Sequence, residues 1–379
     1  MRAATAIRGG TGGNARLSSG AAMTMTLGII GAGAIGNVHA DTAARAGIPV
    51  AGVWDVNPAK GGAFGRKHRE ARVCGSVKEL LAMREVDSVV VAVPNVDHAA
   101  VACEALEAGK TVFLEKPMAM SVAECDRIIA TLDRTKGRLQ MGFVSRSTPA
   151  SRTVKAFIDE GAFGRIYHVK CSLYRRRGVP GLGGWFTTKA MSGGGPLIDL
   201  GVHVLDLALH LTGNPAPERV SGATYANFGP RMKDYVHTFM WAGPPRFDGT
   251  CDVEDHATAL VRCAGGLTIE VNVTWAMNVD EKHMANGMTV FGDRGGCFYQ
   301  IFGKSLSIAT EAGGRVADLA PEFASANVEH DAWDEQYRMF RALAERGTPP
   351  HADAAAGRRV QSVLDAIYRS SAEGREVAV

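Results

Sequence analysis

Two hydrophobic rhythms divide the chain. Over residues 27–30, 50–54, 72–74, 87–93, 111–114 and 139–144, short apolar runs stand between longer stretches of helical period. Runs of this kind read as strands buried on both faces, as in a parallel sheet. The intervening residues 38–46, 77–83, 98–108 and 121–132 read as helices, and Ser121 with Glu124 three positions on forms a capping box. The pattern predicts an α/β, doubly wound parallel sheet over residues 25–146.

Past Arg146 the rhythm changes. Residues 149–160 read as a helix and 165–175 alternate as a strand. Strand-like runs at 219–225, 256–263, 267–275, 287–292 and 297–302 then follow without helices between them. The expectation for residues 147–379 is therefore an α+β domain on an open, mostly antiparallel sheet. Helices over 332–345 and 354–371 are expected to pack back on the first domain.

The stretch 193–213, GGGPLIDLGVHVLDLALHLTG, breaks the usual rule for a helix. It is apolar on nearly every side, yet Asp199, His203, Asp206 and His210 recur at four, three and four residues, one stripe of a helix. Buried carboxylates and imidazoles are costly unless paired or used. Either the four satisfy one another and the neighbouring backbone, or they line the floor of a cleft. In the second case the glycine run lets backbone approach the ligand.

Composition removes several function classes. A net charge of +3 is too small to point to nucleic acid or an anionic membrane, and no run reaches the length a bilayer demands. Seven scattered cysteines without a Cys-x-x-Cys pair argue against disulfides or a zinc ribbon and favour a reducing cytoplasm. Residues 1–24 carry three arginines and no acid, and read as a disordered extension or an upstream start before Met23 or Met25.

The chemistry gathers where the predicted strands end, beyond which ligands bind in such folds. Gly31, Gly33 and Gly36 form Gly-x-Gly-x-x-Gly after a strand and before a helix. Such a turn, followed by Asp55 at the end of the next strand, cradles a dinucleotide pyrophosphate and holds its ribose hydroxyls. A carboxylate there repels a 2′-phosphate, so NAD is favoured over NADP. The dinucleotide is expected to touch Gly31, Gly33, Ala34, Ile35, Gly36 and Asp55, then Ala92, Pro94, Asn95 and His98, and finally Glu115 and Lys116.

Lys116 follows a strand end and precedes Pro117. It either moves a proton, which needs burial or cationic neighbours, or polarises a substrate oxygen. A plain ion pair with Glu115 is the structural alternative. His203 suits a base near neutral pH, and Asp199 can hold a substrate hydroxyl or orient the imidazole. Asp199, His203 and Asp206 as metal ligands form a weaker alternative, and no metal is expected. Arg146, Arg176 and Trp185 are the remaining candidates for substrate contact. The basic set Lys170, Arg175, Arg176, Arg177 and Lys189 leaves an anionic substrate open.

With these residues assembled, the chain resembles the Gfo/Idh/MocA oxidoreductases. GIIGAGAIG at 28–36, Asp55, VAVPNVDH at 91–98, EKP at 115–117 and GGGPLIDLGVH at 193–203 carry the resemblance. It implies that Lys116, Asp199 and His203 line the substrate beside nicotinamide, and that the second sheet serves substrate binding and homodimer or homotetramer contacts. The RRRGVPGLGGWF segment is similar to members acting on pyranoses or anhydrosugars. The expected activity is NAD-dependent oxidation of a secondary alcohol of a sugar or cyclic polyol, with pyranose C3 one candidate position. A redox-assisted glycosidase passing through a 3-keto intermediate and a non-catalytic sugar or dinucleotide sensor are the alternatives.

Overall fold

The computed structural model describes residues 25–237, 240–323 and 325–379. The expectation for residues 1–24 lies outside them. The first half runs β1 (Leu27–Ile30), α1 (Ala34–Arg45), β2 (Val50–Trp54), α2 (Pro58–Lys67), β3 (Arg72–Val73), α3 (Val77–Leu81), β4 (Ser88–Val91), α4 (Asn95–Glu107), β5 (Thr111–Leu114), α5 (Val122–Thr135) and β6 (Leu139–Met141). These strands form one parallel sheet in the order β3-β2-β1-β4-β5-β6. β1, β4 and β6 are buried at every residue, which is why their sequences are apolar runs without alternation. The order reverses beside β1, so β1 and β4 open the crevice that a dinucleotide uses in such folds.

The second half runs α6 (Pro149–Asp159), β7 (Ile166–Tyr174), α7 (Lys189–Ser192), α8 (Val202–Leu211), β8 (Pro217–Tyr225), β9 (His256–Cys263), β10 (Thr268–Thr274), β11 (Gly287–Gly292), β12 (Gly295–Tyr299), β13 (Leu306–Ala312), β14 (Arg315–Leu319), α9 (Val328–Arg346), α10 (Ala354–Glu373) and β15 (Val377–Ala378). Nine strands pair in the order β14-β13-β12-β11-β7-β10-β9-β8-β15. The sheet is antiparallel except where β7 lies parallel to β10. On β10, Ile269, Val271 and Val273 are buried while the residues between them are half-exposed. One face is therefore packed and the other open.

Several boundaries differ from expectation. α1 begins at Ala34 rather than 38, because the glycine turn is itself the first helical turn, with Asn37 N–H donating to the Gly33 carbonyl (3.1 Å). β12 starts at Gly295 and stops at Tyr299. β13, β14 and β15 are additional strands; β13 and β14 close on Gly313 and Gly314, both with positive φ. α9 starts four residues early, where Asn327 caps the free N–H groups of Glu329 and His330.

α9 and α10 reach back to the parallel sheet. Tyr337 and Phe340 of α9 pack on Phe113 of β5, and Tyr337 bonds to His39 of α1. α10 lies against α5 and β6 on one side and β8 on the other.

Candidate active site

The glycine turn is built by contact as much as by flexibility. Gly31 has φ +105°, and a Cβ there would overlap the Ala92 carbonyl at the end of β4. A Cβ on Gly36 would overlap the Gly31 carbonyl, so α1 packs directly on the turn. Gly33 is different: a Cβ there meets nothing within 4 Å. Gly33 is also the N-cap of α1 and offers no side chain, so the first N–H groups of the helix keep their capacity for an anion. Asp55 holds this shape, its Oδ2 accepting from Ala32 N–H and its Oδ1 from Asn57 N–H, each at 2.8 Å. An open notch, an uncapped helix start and a half-buried carboxylate fit a dinucleotide.

The next cofactor candidates have structural duties. Asn95 Nδ2 donates to the Ser192 carbonyl (2.7 Å) and ties α4 to α7. The fully buried ring of His98 has its nitrogens on the carbonyls of Pro117 (2.7 Å) and Val93 (3.0 Å). It sits between the two strand-end loops, and the neutral ring that burial favours donates to one of these carbonyls, so His98 is placed as a structural link. Glu115 is likewise turned inward, with Oε1 on His39 Nε2 at 3.0 Å. Burial alone would raise its carboxyl, but the hydrogen bond and charge of His39, aided by Lys116, bring it below the usual range. An ionised Glu115 accepts from Nε2–H, and His39 Nδ1 shares a hydrogen bond with the Tyr337 hydroxyl at 2.8 Å.

Lys116 is not paired with Glu115 through its side chain. Its ammonium crosses to the second half of the chain, donating to Asp199 Oδ1 (3.1 Å) and to the Asp199 carbonyl (3.2 Å). Asp199 stands in a π-helical turn, Leu197–Gly201, that runs into α8. Such turns recur at functional sites. Its Oδ2 accepts from the indole N–H of buried Trp275 (3.0 Å) and lies 3.6 Å from Arg175 Nη1. Burial opposes ionisation, but Lys116 and Arg175 outweigh it and hold the carboxyl down at about 2. His203, one turn on and half-buried, has Nδ1 3.4 Å from Ser145 Oγ. Burial, then the Lys116 charge, lowers it to about 3 against the pull of Asp199 and Glu115. The site thus sets an ammonium, a carboxylate and a neutral imidazole together.

The polar stripe that runs from the π-helical turn into α8 splits into two halves. Asp199 and His203 face this cluster, whereas Asp206 is consumed by Arg146, whose Nε and Nη2 donate to its two oxygens at 2.8 and 2.6 Å. Nη1 of Arg146 goes to the His351 carbonyl (2.9 Å), and the residue is only 5% exposed. The structure therefore places Arg146 as a buried strut, its guanidinium engaged by Asp206 and the His351 carbonyl. The pairing also removes Asp206 from any ligand set with Asp199 and His203. His210 packs its ring against His351.

The arginine run resolves differently from expectation. Arg176 is exposed, and it is Arg175 that reaches Asp199. Trp185 is half-buried and lies on Phe186 at 3.9 Å between centroids, with Trp241 edge-on beyond. The glycine run preceding Asp199 serves packing: a Cβ on Gly194 would overlap the Tyr368 hydroxyl, and one on Gly195 the Glu254 carbonyl. Trp275 escaped sequence reading, although alternation through Val271 and Val273 places it on the inner face, toward α8.

A glycine turn feeding a six-stranded parallel sheet, set against a second half whose π-helical turn supplies the acid, defines a dinucleotide-binding oxidoreductase. Residues 25–143 match the oxidoreductase family with NAD-binding Rossmann fold, and residues 151–297 match the GFO/IDH/MocA C-terminal domain. The chain belongs to the Gfo/Idh/MocA family. It is 29% identical over 358 residues to a D-glucoside 3-dehydrogenase of Escherichia coli (strain K12), covering 93% of this chain and 97% of that protein. It is 35% identical over 250 residues to a putative UDP-kanosamine synthase oxidoreductase subunit of Amycolatopsis mediterranei (strain S699), spanning 65% of each. The structure of a levoglucosan dehydrogenase in complex with NADH and levoglucosan superposes with a TM-score of 0.79 at 23% identity, over 94% of this chain and 99% of that one. At that identity the likeness is one of fold.

Proposed function

We propose that the chain is an NAD-dependent dehydrogenase acting on a secondary alcohol of a sugar or cyclic polyol. The observation that carries this reading is the Lys116–Asp199 pair beside His203 at the mouth of the dinucleotide crevice. Gly31, Gly33, Ala34, Ile35, Gly36 and Asp55 would hold the dinucleotide, with Ala92 and Pro94 at the neighbouring strand end. Asp55, anchored by Ala32, presents negative charge where a 2′-phosphate would lie, which supports NAD over NADP.

Bound nicotinamide supplies the hydride acceptor. On the protein side, neutral His203 takes the hydroxyl proton, and contact of its Nδ1 with Ser145 leaves Nε2 for that task. The Lys116 ammonium polarises the oxygen as it becomes a carbonyl, and Asp199 fixes that ammonium. Arg175 and Trp275 hold Asp199 in turn. The name of the Escherichia coli relative supports pyranose C3 as the oxidised carbon. Seven free cysteines support a reducing, cytoplasmic setting. The open face of the nine-stranded sheet, where Lys170 and Glu270 pair, supports assembly as a homodimer or homotetramer.

The test is a panel of pyranosides, anhydrosugars and cyclic polyols with NAD, read by NADH absorbance. Net NADH from one class supports the reading. Glycoside cleavage with catalytic NAD and no net NADH would replace it with a redox-assisted glycosidase. NAD binding without any turnover would replace it with a sensor.

A further inference from the structure

Glu254 is a buried carboxylate with no lysine, arginine or histidine paired to it among the described residues. An unpaired carboxylate in such a place is costly unless it accepts several hydrogen bonds. Its Oε1 takes two, from the Tyr368 hydroxyl (2.8 Å) and from the backbone N–H of Leu197 (3.1 Å). Leu197 is the first residue of the π-helical turn, where a helix has no acceptor of its own to offer. Tyr368 comes from α10, remote in sequence, and Gly194 and Gly195 are small enough to admit its hydroxyl and the Glu254 carbonyl.

The same segment also grips the far side of the site. The carbonyl of Asp255, next to Glu254, accepts from Trp275 N–H (2.9 Å), and the Trp275 indole donates to Asp199 Oδ2 (3.0 Å). Asp199 N–H in turn donates to the Gly195 carbonyl (3.0 Å). The pair Glu254–Asp255 therefore holds both the turn that carries Asp199 and the tryptophan that orients its carboxylate.

We propose that Glu254 and Tyr368 are positioning residues: they lock the Leu197–Gly201 turn so that Asp199 meets Lys116, and α10 thereby sets the geometry of the reactive site. The kinetic part of this inference rests on the proposed dehydrogenase reading; the geometric part does not. Two variants test it. Tyr368→Phe removes one oxygen and keeps the ring that fills the space, so it is the variant that preserves the fold. Glu254→Ala removes both acceptor contacts.

The direct readout is the indole N–H signal of Trp275 in deuterated protein labelled with 15N-tryptophan, assigned by its loss in Trp275→Phe. A hydrogen bond to a carboxylate marks that signal, and it moves when Asp199 moves. The expected result is a displaced Trp275 signal in both variants, larger in Glu254→Ala, with the other tryptophan indoles in place. With an active substrate, kcat is expected to fall about tenfold or more in Glu254→Ala and several-fold in Tyr368→Phe, while KM for NAD stays within about twofold. A Trp275 signal unmoved in Tyr368→Phe, together with unchanged kcat, overturns the inference. A moved signal in a protein that oxidises no alcohol upholds the positioning role and counts against the dehydrogenase reading instead.

Discussion

Lys116 Nζ and Asp199 Oδ1 lie 3.1 Å apart although 83 residues separate them, one at the end of a parallel strand and the other in a π-helical turn of the second half. Asp199 is buried and Lys116 nearly so, so the pair is shielded from solvent screening. Removing one partner strands the other's charge. Asp199→Asn keeps the shape but withdraws the charge that fixes the ammonium. The expected outcome is a fall in kcat of about 10²–10⁴-fold with NAD affinity retained, measured by steady-state kinetics beside fluorescence titration of the dinucleotide.

Asp55 is predicted to set cofactor choice. Its half-buried carboxylate is held at two backbone N–H groups, those of Ala32 in the glycine turn and of Asn57. Hydrogen bonds to a charged group contribute about 1.5–3 kcal/mol, equivalent to roughly 10–100-fold in affinity. In Asp55→Ser the KM for NAD is expected to rise by that factor while turnover with NADP improves. An unchanged NAD/NADP ratio of kcat/KM would contradict the assignment of Asp55.

Arg146 is predicted to matter for stability, since its guanidinium is spent on buried Asp206 and the His351 carbonyl. Arg146→Ala leaves a carboxylate buried alone, which costs about 3–5 kcal/mol. The urea midpoint should drop accordingly, whereas a variant with normal stability and a raised substrate KM would restore Arg146 as a substrate contact.

Acid should destabilise the folded chain well above the carboxylate range. His203, His210 and His351 are lowered to about 3, 3 and 4, first by burial and then by the charges of Lys116 for His203 and Arg146 for the other two. The unfolded chain binds protons at these positions near pH ~6.5, while the folded chain stays neutral there. The unfolded state therefore gains protons first, and stability falls as pH drops from about 6.5 toward 4. The lowered carboxyl of Asp199 acts later, below about 3.9. Carboxyls that burial raises, such as Asp206 and Glu254, take up protons in the folded chain first and offset part of the fall at the acid end. Thermal melting at pH 7, 5.5 and 4.5 should show the decline, and His351→Gln should flatten it.

Much of this was legible in the sequence because parallel strands buried on both faces write themselves as apolar runs, and the glycine turn has one geometry. Lys116, Asp199 and His203 could be placed at strand and helix ends from spacing alone. Their partners could not. Trp275 and Arg175 reach Asp199 from the end of one strand and the loop after another, and that pairing is a matter of register between β10 and β7. The glycines at 194 and 195 looked like room for a ligand, yet Tyr368 and Glu254 fill that room from far along the chain. Arg146 fell where ligand-facing residues gather, and only tertiary packing shows it turned toward Asp206.

The most direct measurement is NADH formation by Lys116→Ala, with whichever alcohol the wild-type chain oxidises, alongside NAD binding by the same variant. The expected result is loss of turnover by several orders of magnitude with the dissociation constant for NAD nearly unchanged. NADH formation at the wild-type rate would contradict the assignment of Lys116 and, with it, the reactive cluster it forms with Asp199 and His203.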